Sequence, residues 1–305
     1  MIQVSVILPI FNGAKTLANT LDSLLMQNYK EFELIACIDG STDDSENILK
    51  QYTEKFKKLT ILKNSVNRGL GPTMNRLIYH ASGTYIAVAE QDDYYYPERL
   101  QLQVELLDKD PSVGLVSGIA EFSGGERIHG KFPGILVHGR QYPEGKEMFM
   151  LNYKQHIKVV NSCMMFRKSV HIDNGLYFTQ HYPSISVDWT YILRFSLVSK
   201  IHGLHKVLVR LDRRPERQSV TSNKVKQFKA TRELLRAFAY EYPQLISKKD
   251  YQYAMRTQYV LEINSKSGLK YVFTWLAYFV RNPFEKRYVK SIMKRIRIKI
   301  KMMYN

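Results

Sequence analysis

The 305-residue chain is long enough to bury a full hydrophobic core, and its composition, 45% apolar and 24% charged, excludes a disordered protein. Its 45 Lys and Arg against 28 Asp and Glu leave a formal net charge of +17, which indicates an anionic partner such as nucleic acid, anionic lipid or a phosphorylated substrate. With two cysteines and no CxxC motif or Cys/His cluster, neither a disulfide framework nor a zinc site is expected, and a reducing compartment fits best.

The amino terminus predicts a strand and not a targeting segment. MIQVSVILPI has no basic segment before its apolar run and no cleavage-site pattern, so a signal peptide is not expected. No apolar run reaches the ~18 residues that a membrane-spanning helix needs. We therefore expect a cytoplasmic protein that contacts membranes, where it does so, from one side.

Four strand-like segments recur at regular spacing in the first half of the chain. Apolar, β-branched runs begin near Val4, Phe32, Leu59 and Tyr85, and each interval between them holds a helical pattern. Strands that alternate with helices at this spacing predict βαβ units and a parallel sheet that is covered on both faces. The first half is therefore predicted to be α/β.

The remainder of the chain has three regions. Scattered Gly and Pro from 111 to about 145 predict irregular structure with short strands. Within 159–209 the sequence predicts a strand at VVNSCMMF, a helix at VDWTYILRFSLVS and a short strand at KVLVRL, and after residue 222 the pattern is helical to the end. The predicted division is one domain at 1–220, with halves 1–110 and 111–220, and a helical region at 221–305.

The carboxyl-terminal segment WLAYFVRNPFEKRYVKSIMKRIRIKIKMMYN interleaves basic with aromatic and aliphatic residues at helical spacing. This pattern predicts a helix in a membrane interface, attracted by anionic headgroups. A solvated helix that packs on the domain is the alternative. Nucleic acid is not an expected partner, because no recognised motif is present and the basic residues accompany apolar ones rather than stacking platforms. The basic residues are Lys286, Arg287, Lys290, Lys294, Arg295, Arg297, Lys299 and Lys301.

Polar residues follow each of the four predicted parallel strands, where ligands bind in open α/β sheets. The first loop has no GxGxxG and the chain has no GxxxxGK[ST], which disfavours a Rossmann dehydrogenase or a P-loop ATPase. The loops contain, in chain order, Pro9, Phe11, Asn12 and Gly13; Asp39, Gly40, Ser41 and Thr42; Asn67, Arg68 and Gly69; and Glu90, Gln91, Asp92 and Asp93.

The acidic loop EQDD predicts a metal site. Carboxylates this close repel one another unless a cation or a set of donors lies among them. Hard oxygen ligands bind Mg²⁺ or Mn²⁺, and the ion bridges to phosphate oxygens. Asp92 and Asp93 would therefore hold a divalent ion that neutralises a departing nucleotide diphosphate. The alternative is a solvated or capping loop.

Three other side chains suit a nucleotide. Asp39 can accept a hydrogen bond from a base N–H, and Phe11 offers that base an apolar surface. Arg68 lies beside the start of the helix at Leu70, so its guanidinium and the helix amino terminus both suit a diphosphate. Each residue has a simpler explanation as part of a turn or a cap, and their joint placement after successive strands favours the nucleotide.

The runs VSVILPIFNGAKTLANTLDSLLMQ, FELIACIDGSTDDS, NRGLGPTMNRLIYHASGTYIAVAEQDD and YYYPERL resemble, in this order, the family-two inverting glycosyltransferases with the GT-A fold. The resemblance is dense over about 2–110 and thin to about 220. It implies a mixed, mostly parallel sheet flanked by helices, here with a helical, basic carboxyl-terminal extension. It also implies metal-dependent, inverting transfer of a hexosyl or N-acetylhexosaminyl group from a nucleotide sugar, usually UDP-linked.

By motif position, the resemblance assigns residues to the nucleotide and the metal. Two positions depart from the family pattern: Ile38 replaces an acid before GS, and Glu90 stands where Asp is usual, so no metal bond is assigned to Glu90. By this resemblance Pro9, Phe11 and Asp39 would contact the nucleotide, Asp92 the nucleotide or the metal, and Asp93 the metal. Asn12 and Arg68 are added to the predicted nucleotide contacts from their place in the loops after the strands.

The catalytic base is predicted in the second half of the domain. Inverting transfer needs a base on the face opposite the leaving group. Asp188, in ISVDWTY, matches the second acid of the family's Glu-Asp motif, and helix capping is the alternative role. For the acceptor we predict contacts from Trp189, which would otherwise be core, and from Arg213 and Arg214.

The predicted function is transfer of a sugar to a hydroxyl of a glycan or lipid-linked oligosaccharide. The basic carboxyl-terminal segment and the family together indicate bacterial cell-surface polysaccharide synthesis at the inner face of the cell membrane. The alternative is a non-catalytic protein on the same fold that binds nucleotide sugars or carbohydrate.

Overall fold

The computed structural model describes residues 2–124, 127–132, 136–137, 140–157, 159–182, 184–212, 223–283, 285–287 and 292–293. The chain divides into two compact units, 1–222 and 223–305. The roles assigned above to 1–110, 111–220 and 221–305 stay predictions.

The first unit contains eleven strands, seven helices and one 3₁₀ turn among the residues that the structure describes. The strands are β1 Val4–Ile10, β2 Phe32–Asp39, β3 Leu59–Asn64, β4 Tyr85–Val88, β5 Asp93–Tyr95, β6 Val113–Gly124, β7 Arg127–Phe132, β8 Leu136–Val137, β9 Arg140–Gln141, β10 Met165–Arg167 and β11 Lys200–Asp212. The helices are α1 Leu17–Leu25, α2 Ser45–Lys50, α3 Leu70–His80, α4 Arg99–Lys109, α5 Gly145–Gln155, α6 Lys168–Asp173 and α7 Val187–Val198. The 3₁₀ turn is Asn161–Cys163.

One large mixed sheet forms the centre of this unit. Its strand order is β3-β2-β1-β4-β10-β6-β11-β5, and β7 pairs with β6. The four predicted strands β1 to β4 are present and parallel to one another. β11 is parallel to β6, whereas β10 and β5 are antiparallel to the strands beside them. The predicted α/β fold with a mixed, mostly parallel sheet is confirmed.

Both faces of the sheet are covered by helices. Along β1, Val6 and Leu8 pack with α1, α2 and α4, whereas Ile7 between them packs with α3, α5 and α7. Successive strand residues point to opposite faces, so a strand buried on both sides must be apolar throughout. The continuous apolar runs of β1 and β2 therefore follow from the two helical layers.

The expectation of irregular structure between 111 and 145 is wrong for β6, which is a strand of twelve residues. Its glycines mark close approaches rather than breaks. A Cβ on Gly114 would lie 2.2 Å from the Ser199 hydroxyl, and one on Gly118 would lie 2.4 Å from the Leu208 side chain. The strand predicted at VVNSCMMF is shorter than expected, because only Met165–Arg167 is extended and a 3₁₀ turn precedes it.

The second unit is helical over its described part, as predicted. Its helices are α8 Lys224–Glu241, α9 Lys248–Asn264 and α10 Gly268–Arg281. Ser247 and Asp250 form a capping box at the start of α9, and Arg232 pairs with Glu262 between α8 and α9. No helix in the described residues is both long enough and apolar enough to cross a membrane. Most of the predicted basic carboxyl-terminal helix, including Lys290, Lys294, Arg295, Arg297, Lys299 and Lys301, lies outside the described residues.

Glu33, the second residue of β2, has a buried carboxylate that is bound by several neighbouring groups. Its carboxylate accepts hydrogen bonds from the Ser5 hydroxyl (2.6 Å), the Ser82 amide (2.7 Å) and the Ser82 hydroxyl (2.6 Å), and it pairs with Lys58 Nζ at 2.5 Å. Burial alone raises the pKa of Glu33, but the hydrogen bonds from Lys58, Ser5 and Ser82 outweigh burial and lower the pKa to about 2.

We predict that Glu33→Gln lowers the free energy of unfolding by about 2–3 kcal/mol at neutral pH, because the folded-state pKa lies below the unfolded value of about 4.3. This stabilisation is present above pH ~4.3 and is lost as the pH falls towards the folded-state pKa. Urea denaturation at several pH values should show the difference between wild type and variant narrowing on acidification. Glu31→Gln, which removes the exposed pair with Lys57, is the matched control with a much smaller effect. A difference independent of pH would contradict this account.

Candidate active site

The loops that follow β1 and β4 are joined by one side chain, Gln91. Its Oε1 accepts a hydrogen bond from the Phe11 amide (2.7 Å), and its Nε2 donates to the Phe11 carbonyl (2.9 Å). Gly13 permits this approach, since a Cβ there would lie 2.5 Å from Gln91 Oε1. The Phe11 side chain is 45% exposed. Pro9 is half-buried, lies two residues before Phe11 in β1 and is opposite Cys37 of β2.

Asn12 joins the loop after β1 to the loop after β2. It adopts a left-handed backbone conformation with φ of 49°. Its amide donates to the Ser41 hydroxyl (3.1 Å), and its Oδ1 accepts from the Thr42 amide (2.9 Å). The side-chain oxygen of Asn12 is therefore used inside the protein, and its predicted contact with a nucleotide stays a prediction.

Asp39, the last residue of β2, organises the loop before α3. The carboxylate is 4% exposed and accepts hydrogen bonds from Asn64 Nδ2 (2.7 Å), the Arg68 amide (2.9 Å) and the Gly69 amide (2.9 Å). Gly40 follows with φ of 67°, where a Cβ would lie 2.3 Å from the Asn67 nitrogen. A carboxylate offers about four acceptor positions, so three internal donors leave room for one further donor from a ligand. The Arg68 side chain is exposed beside it.

The acidic loop forms a compact cluster. One carboxylate oxygen from each of Glu90, Asp92 and Asp93 lies within 4.8 Å of the others. Asp93 is 2% exposed, and Glu90 and Asp92 are half-buried. The sequence assigned no metal bond to Glu90, yet the structure brings its carboxylate into the cluster with the two aspartates. We refer to these three residues as the acid cluster.

The 3₁₀ turn before β10 supplies donors to the acid cluster. Asn161 Nδ2 donates to Glu90 Oε1 (2.7 Å), and the Ser162 hydroxyl donates to Asp93 Oδ2 (2.5 Å). Sequence reasoning missed both residues. The available signal was the polar pair Asn-Ser inside the otherwise apolar run VVNSCMMF, which a buried strand would not explain.

A polar face of α1 holds β5 in place. The Thr20 hydroxyl donates to the Asp93 carbonyl (2.8 Å), the Ser23 hydroxyl accepts from the Tyr95 amide (3.1 Å), and Gln27 Nε2 donates to the Tyr96 carbonyl (2.9 Å). Positions i, i+3 and i+7 share one face of a helix. This polar stripe, which Gln27 extends one residue past the C-cap of α1, lies beside the leucine face and is buried with it.

Arg99 is a fully buried guanidinium beneath the acid cluster. Its Nη2 donates to the carbonyls of Val88 (2.7 Å) and Met164 (3.3 Å), and its guanidinium lies 4.5 Å from the centre of the Tyr95 ring. The Tyr95 hydroxyl in turn accepts from the Glu90 amide (2.6 Å). Burial lowers the pKa of Arg99, and the charge of Asp93 acts in the opposite direction. The positive charge of Arg99 acts on Asp93 and so offsets part of the repulsion within the acid cluster.

The donor set of the acid cluster fits a divalent metal ion. Three carboxylates that converge within 4.8 Å provide the hard oxygen ligands that Mg²⁺ and Mn²⁺ prefer. Asp93 is held by Ser162 and Glu90 by Asn161, so two of the three candidate ligands are oriented by neighbouring donors, as metal ligands usually are.

Asp188 lies at the start of α7, as predicted, but it does not cap the helix. The N-cap is Ser186, with φ of 54°, and Asp188 is the second helical residue. Two residues before the N-cap, the Ser184 hydroxyl accepts a hydrogen bond from the Leu70 amide (3.4 Å). The segment that leads into α7 is therefore adjacent to the first residue of α3, and Arg68 lies two residues before that residue.

Of the three residues predicted to contact the acceptor, the structure describes Trp189. Trp189 is half-buried and stacks on His156, with ring centres 4.9 Å apart, so one of its faces is already covered. Arg213 and Arg214 lie outside the described residues. Contact of these three residues with an acceptor stays a prediction.

The sheet order, the flanking helices and the acidic loop after β4 are those of a GT-A glycosyltransferase. Glycosyl transferase family 2 matches residues 5–174, and the chain belongs to this family. Putative glycosyltransferase EpsE of Bacillus subtilis is 35% identical over 184 residues, which cover 58% of this chain and 66%, just under two thirds, of EpsE. The UDP-Glc:alpha-D-GlcNAc-diphosphoundecaprenol beta-1,3-glucosyltransferase WfgD of Escherichia coli is 25% identical over 242 residues, which cover 77% of this chain and 86% of WfgD.

Solved structures share the fold at low sequence identity. S. aureus TarS 1-349 in complex with UDP-GlcNAc superposes with a TM-score of 0.68 at 21% identity, covering 90% of this chain and 79% of that chain. Mannosyltransferase PcManGT from Pyrobaculum calidifontis, in complex with GDP-Man and Mn²⁺, superposes with a TM-score of 0.55 at 16% identity, covering 95% of this chain and 84% of that chain. The predicted family and the GT-A fold are confirmed.

We predict that Asp39→Asn lowers the free energy of unfolding by about 2–3 kcal/mol, because the amide loses the charge that strengthens its hydrogen bonds and turns an NH₂ group towards backbone donors. Urea denaturation measures this change. Asp173→Asn, at an exposed aspartate at the end of α6, is the control and should be near neutral. A variant as stable as wild type would show that Asp39 does not hold the loop before α3.

Proposed function

We propose that this protein is a metal-dependent, inverting glycosyltransferase that moves a hexosyl or N-acetylhexosaminyl group from a UDP-sugar to a hydroxyl of a glycan or lipid-linked oligosaccharide. The observation that carries the proposal is the convergence of Glu90, Asp92 and Asp93 after the carboxyl end of β4. Asp39 lies at the carboxyl end of β2, two strands away in the same sheet. The UDP-GlcNAc complex of TarS and the UDP-Glc donor in the name of WfgD support the choice of donor.

In this proposal the nucleotide lies along the loops after β1, β2 and β3. The exposed Phe11 ring offers the base an apolar surface, and Asp39 accepts its N–H at the remaining position of the carboxylate. Pro9 and Asn12 complete the wall beside the base. Arg68 and the amino terminus of α3 face the diphosphate.

Asp93 and Asp92 hold Mn²⁺ or Mg²⁺, and Glu90 lies close enough to contribute. When bound, the ion stabilises the negative charge that develops on the departing diphosphate. The Mn²⁺ in the PcManGT complex supports this choice of cofactor. Arg99 and the donors of the 3₁₀ turn keep the three carboxylates together whether or not nucleotide is present.

Asp188 acts as the base. Its carboxylate takes the proton of the acceptor hydroxyl while the hydroxyl oxygen bonds to the anomeric carbon. The bond from that carbon to the diphosphate oxygen breaks in the same step, and the nucleotide diphosphate leaves on the opposite face, which inverts the configuration. The half-buried position of Asp188 and the contact of its segment with the start of α3 support this role.

We predict that Asp188→Asn leaves the thermal melting temperature close to that of wild type and lowers kcat by about 10²–10⁴-fold, the range expected for a catalytic acid–base group. Asp93→Asn should also lower kcat, because the metal site loses a ligand, and it should cost some stability, because the buried carboxylate accepts a hydrogen bond from Ser162. Release of free UDP from a panel of UDP-sugars measures turnover, and Asp173→Asn, at an exposed aspartate, is the control. Calorimetric UDP binding should weaken in the presence of a chelator for wild type and be indifferent to it for Asp93→Asn. Turnover retained in both variants would refute the site.

A non-catalytic protein that binds nucleotide sugars is the alternative. The acid cluster and Asp188 favour the enzyme, because binding alone requires no base beside the sugar. Hydrolysis of a UDP-sugar in the presence of Mn²⁺ would separate the two functions.

The partner of the second unit is proposed to be an anionic membrane surface, at the inner face of the cell membrane. Residues 223–305 contain 19 Lys and Arg against 5 Asp and Glu, so they carry +14 of the net +17. In α10, one face packs on α9 through Tyr278 and Ile263. The other presents an apolar stripe at helical spacing. The exposed residues of this stripe are Leu269, Val272, Phe273, Leu276 and Val280.

An exposed apolar stripe on a strongly basic unit matches the two requirements for binding an anionic bilayer, which are burial of apolar area and attraction to headgroups. A membrane-bound enzyme is positioned to meet a lipid-linked acceptor. The diphosphoundecaprenol acceptor in the name of WfgD supports this choice, and with it a role in cell-surface polysaccharide synthesis.

We predict that Val280→Ser lowers partitioning onto phosphatidylcholine/phosphatidylglycerol vesicles by about tenfold, the cost of losing one buried valine. Val225→Ser is the matched control, because both valines lie on helices of the second unit and are 77% and 79% exposed. Deletion of 284–305 should weaken the same binding while UDP affinity is kept. Equal binding of both valine variants would reject α10 as the contact, and unchanged binding of the deletion would reject the carboxyl-terminal segment.

A further inference from the structure

A second cleft adjoins the acid cluster on the α1 side of the sheet. It has a volume of about 450 Å³, within the range of small-molecule sites. Asp92 and Asp93 form part of its wall. The rest of the lining that bears on its chemistry comes from α1 and the residue after it, from β5 and from β11, namely Asn19, Asp22, Met26, Tyr94, Arg210 and Asp212.

The polar groups of the cleft are held in position before any ligand arrives. The Arg210 guanidinium lies 4.6 Å from the centre of the Tyr94 ring, and Tyr96 packs edge-on against Tyr94 at 5.5 Å. Asp22 accepts a hydrogen bond from the Tyr52 hydroxyl (2.8 Å). Groups that are already ordered lose less freedom on binding. The side chains that line the cleft are therefore already ordered for binding a ligand.

The charges of the lining select a neutral ligand rich in hydroxyl groups. Asp22 and Asp212 would repel a phosphate, and Arg210 disfavours a second cation in the same space. Carboxylates only accept hydrogen bonds and guanidinium groups only donate, whereas a hydroxyl does both. A saccharide satisfies the two kinds of group at once, and the exposed Met26 (55%) offers an apolar patch to the carbon face of a sugar ring.

We propose that this cleft binds saccharide units of the acceptor glycan, beside the acids that hold the metal. The proposal rests on the proposed function, which supplies the need for an acceptor. Asp92 and Asp93 are shared walls, so saccharide in the cleft adjoins the acid cluster. Asp188 lies on α7, which packs on the other face of the sheet, so the cleft binds units of the acceptor beyond the one whose hydroxyl meets the base. The cleft thereby determines which acceptor glycans are bound.

A spin label at the rim of the cleft tests the proposal directly. Cys37 and Cys163 are buried, and burial raises the pKa of their thiols to about 11 and about 12, so a new exposed thiol is labelled selectively. Met26→Cys is labelled with a nitroxide, and the probes are N,N′-diacetylchitobiose, cellobiose and maltose. Labelled Tyr79→Cys, at a residue 83% exposed on α3 across the sheet, is the control.

We expect the Met26→Cys label to broaden the proton resonances of at least one probe, and the Tyr79→Cys label to broaden none. Asn19→Ala and Arg210→Met, introduced into labelled Met26→Cys, should each weaken this binding by about tenfold, as loss of one hydrogen bond to an ordered group does. Asn47→Ala, an exposed asparagine on α2, should leave it unchanged. Melting temperature and UDP affinity are measured for every variant.

Two failures are distinguishable. Because the label replaces Met26, calorimetry of the probes on unlabelled wild type accompanies it, and wild-type binding that the Met26→Cys label abolishes also supports the cleft. If wild type releases UDP from a UDP-sugar but binds no probe, if a probe binds labelled Met26→Cys without being broadened, or if both labels broaden the probes equally, the cleft is not a saccharide site and the proposed function stands. If the probes are broadened selectively but wild type neither releases UDP nor transfers sugar, the proposed function and the acceptor role fall together.

Discussion

The mutual repulsion of three carboxylates is the constraint around which the first unit is arranged. Glu90, Asp92 and Asp93 lie within 4.8 Å of one another, where like charges cost several kcal/mol unless donors or cations compensate them. The compensation comes from two separate elements: the 3₁₀ turn donates to the carboxylates of Glu90 and Asp93, and α4 places a buried guanidinium whose charge acts on Asp93. A third element, α1, fixes the backbone carbonyl of Asp93 and so the course of the loop. The half of the domain after residue 111 is therefore needed to hold a loop that belongs to the first half.

This dependence explains why so many polar side chains are buried near the site. Gln27, Arg99 and Gln103 are inaccessible to solvent, and each donates to backbone carbonyls at strand ends or in the 3₁₀ turn. A buried polar group is tolerated when it is hydrogen-bonded. Such a network fixes the geometry of the loop before any ligand binds, so less of the binding free energy is lost to ordering the site.

The sequence predicted the parts of the structure that depend on local pattern. The four strands β1 to β4 follow from apolar runs, and their ends mark the edge where Asp39 and the acid cluster lie. The sequence did not predict the twelve-residue strand β6, because glycines within a run usually indicate a break in a strand. The close approach of Leu208 that requires Gly118 is visible only in the structure. The sequence placed Gln91 in the acidic loop without a role and missed Asn161 and Ser162, because the partners of these residues lie 69 to 80 residues away along the chain and no periodic pattern encodes such a pairing.

The net positive charge of the chain is concentrated in the second unit. The first 222 residues contain 26 Lys and Arg against 23 Asp and Glu, a net +3, whereas the remaining 83 carry +14. An anionic nucleotide would therefore gain little from the average charge of the first unit. In the proposed function its binding depends on groups placed locally at the carboxyl ends of the strands and on a divalent ion at the acid cluster. The field of the second unit acts over about a Debye length, ~8 Å at physiological salt, so it favours contact with an extended anionic surface rather than discrimination among small ligands.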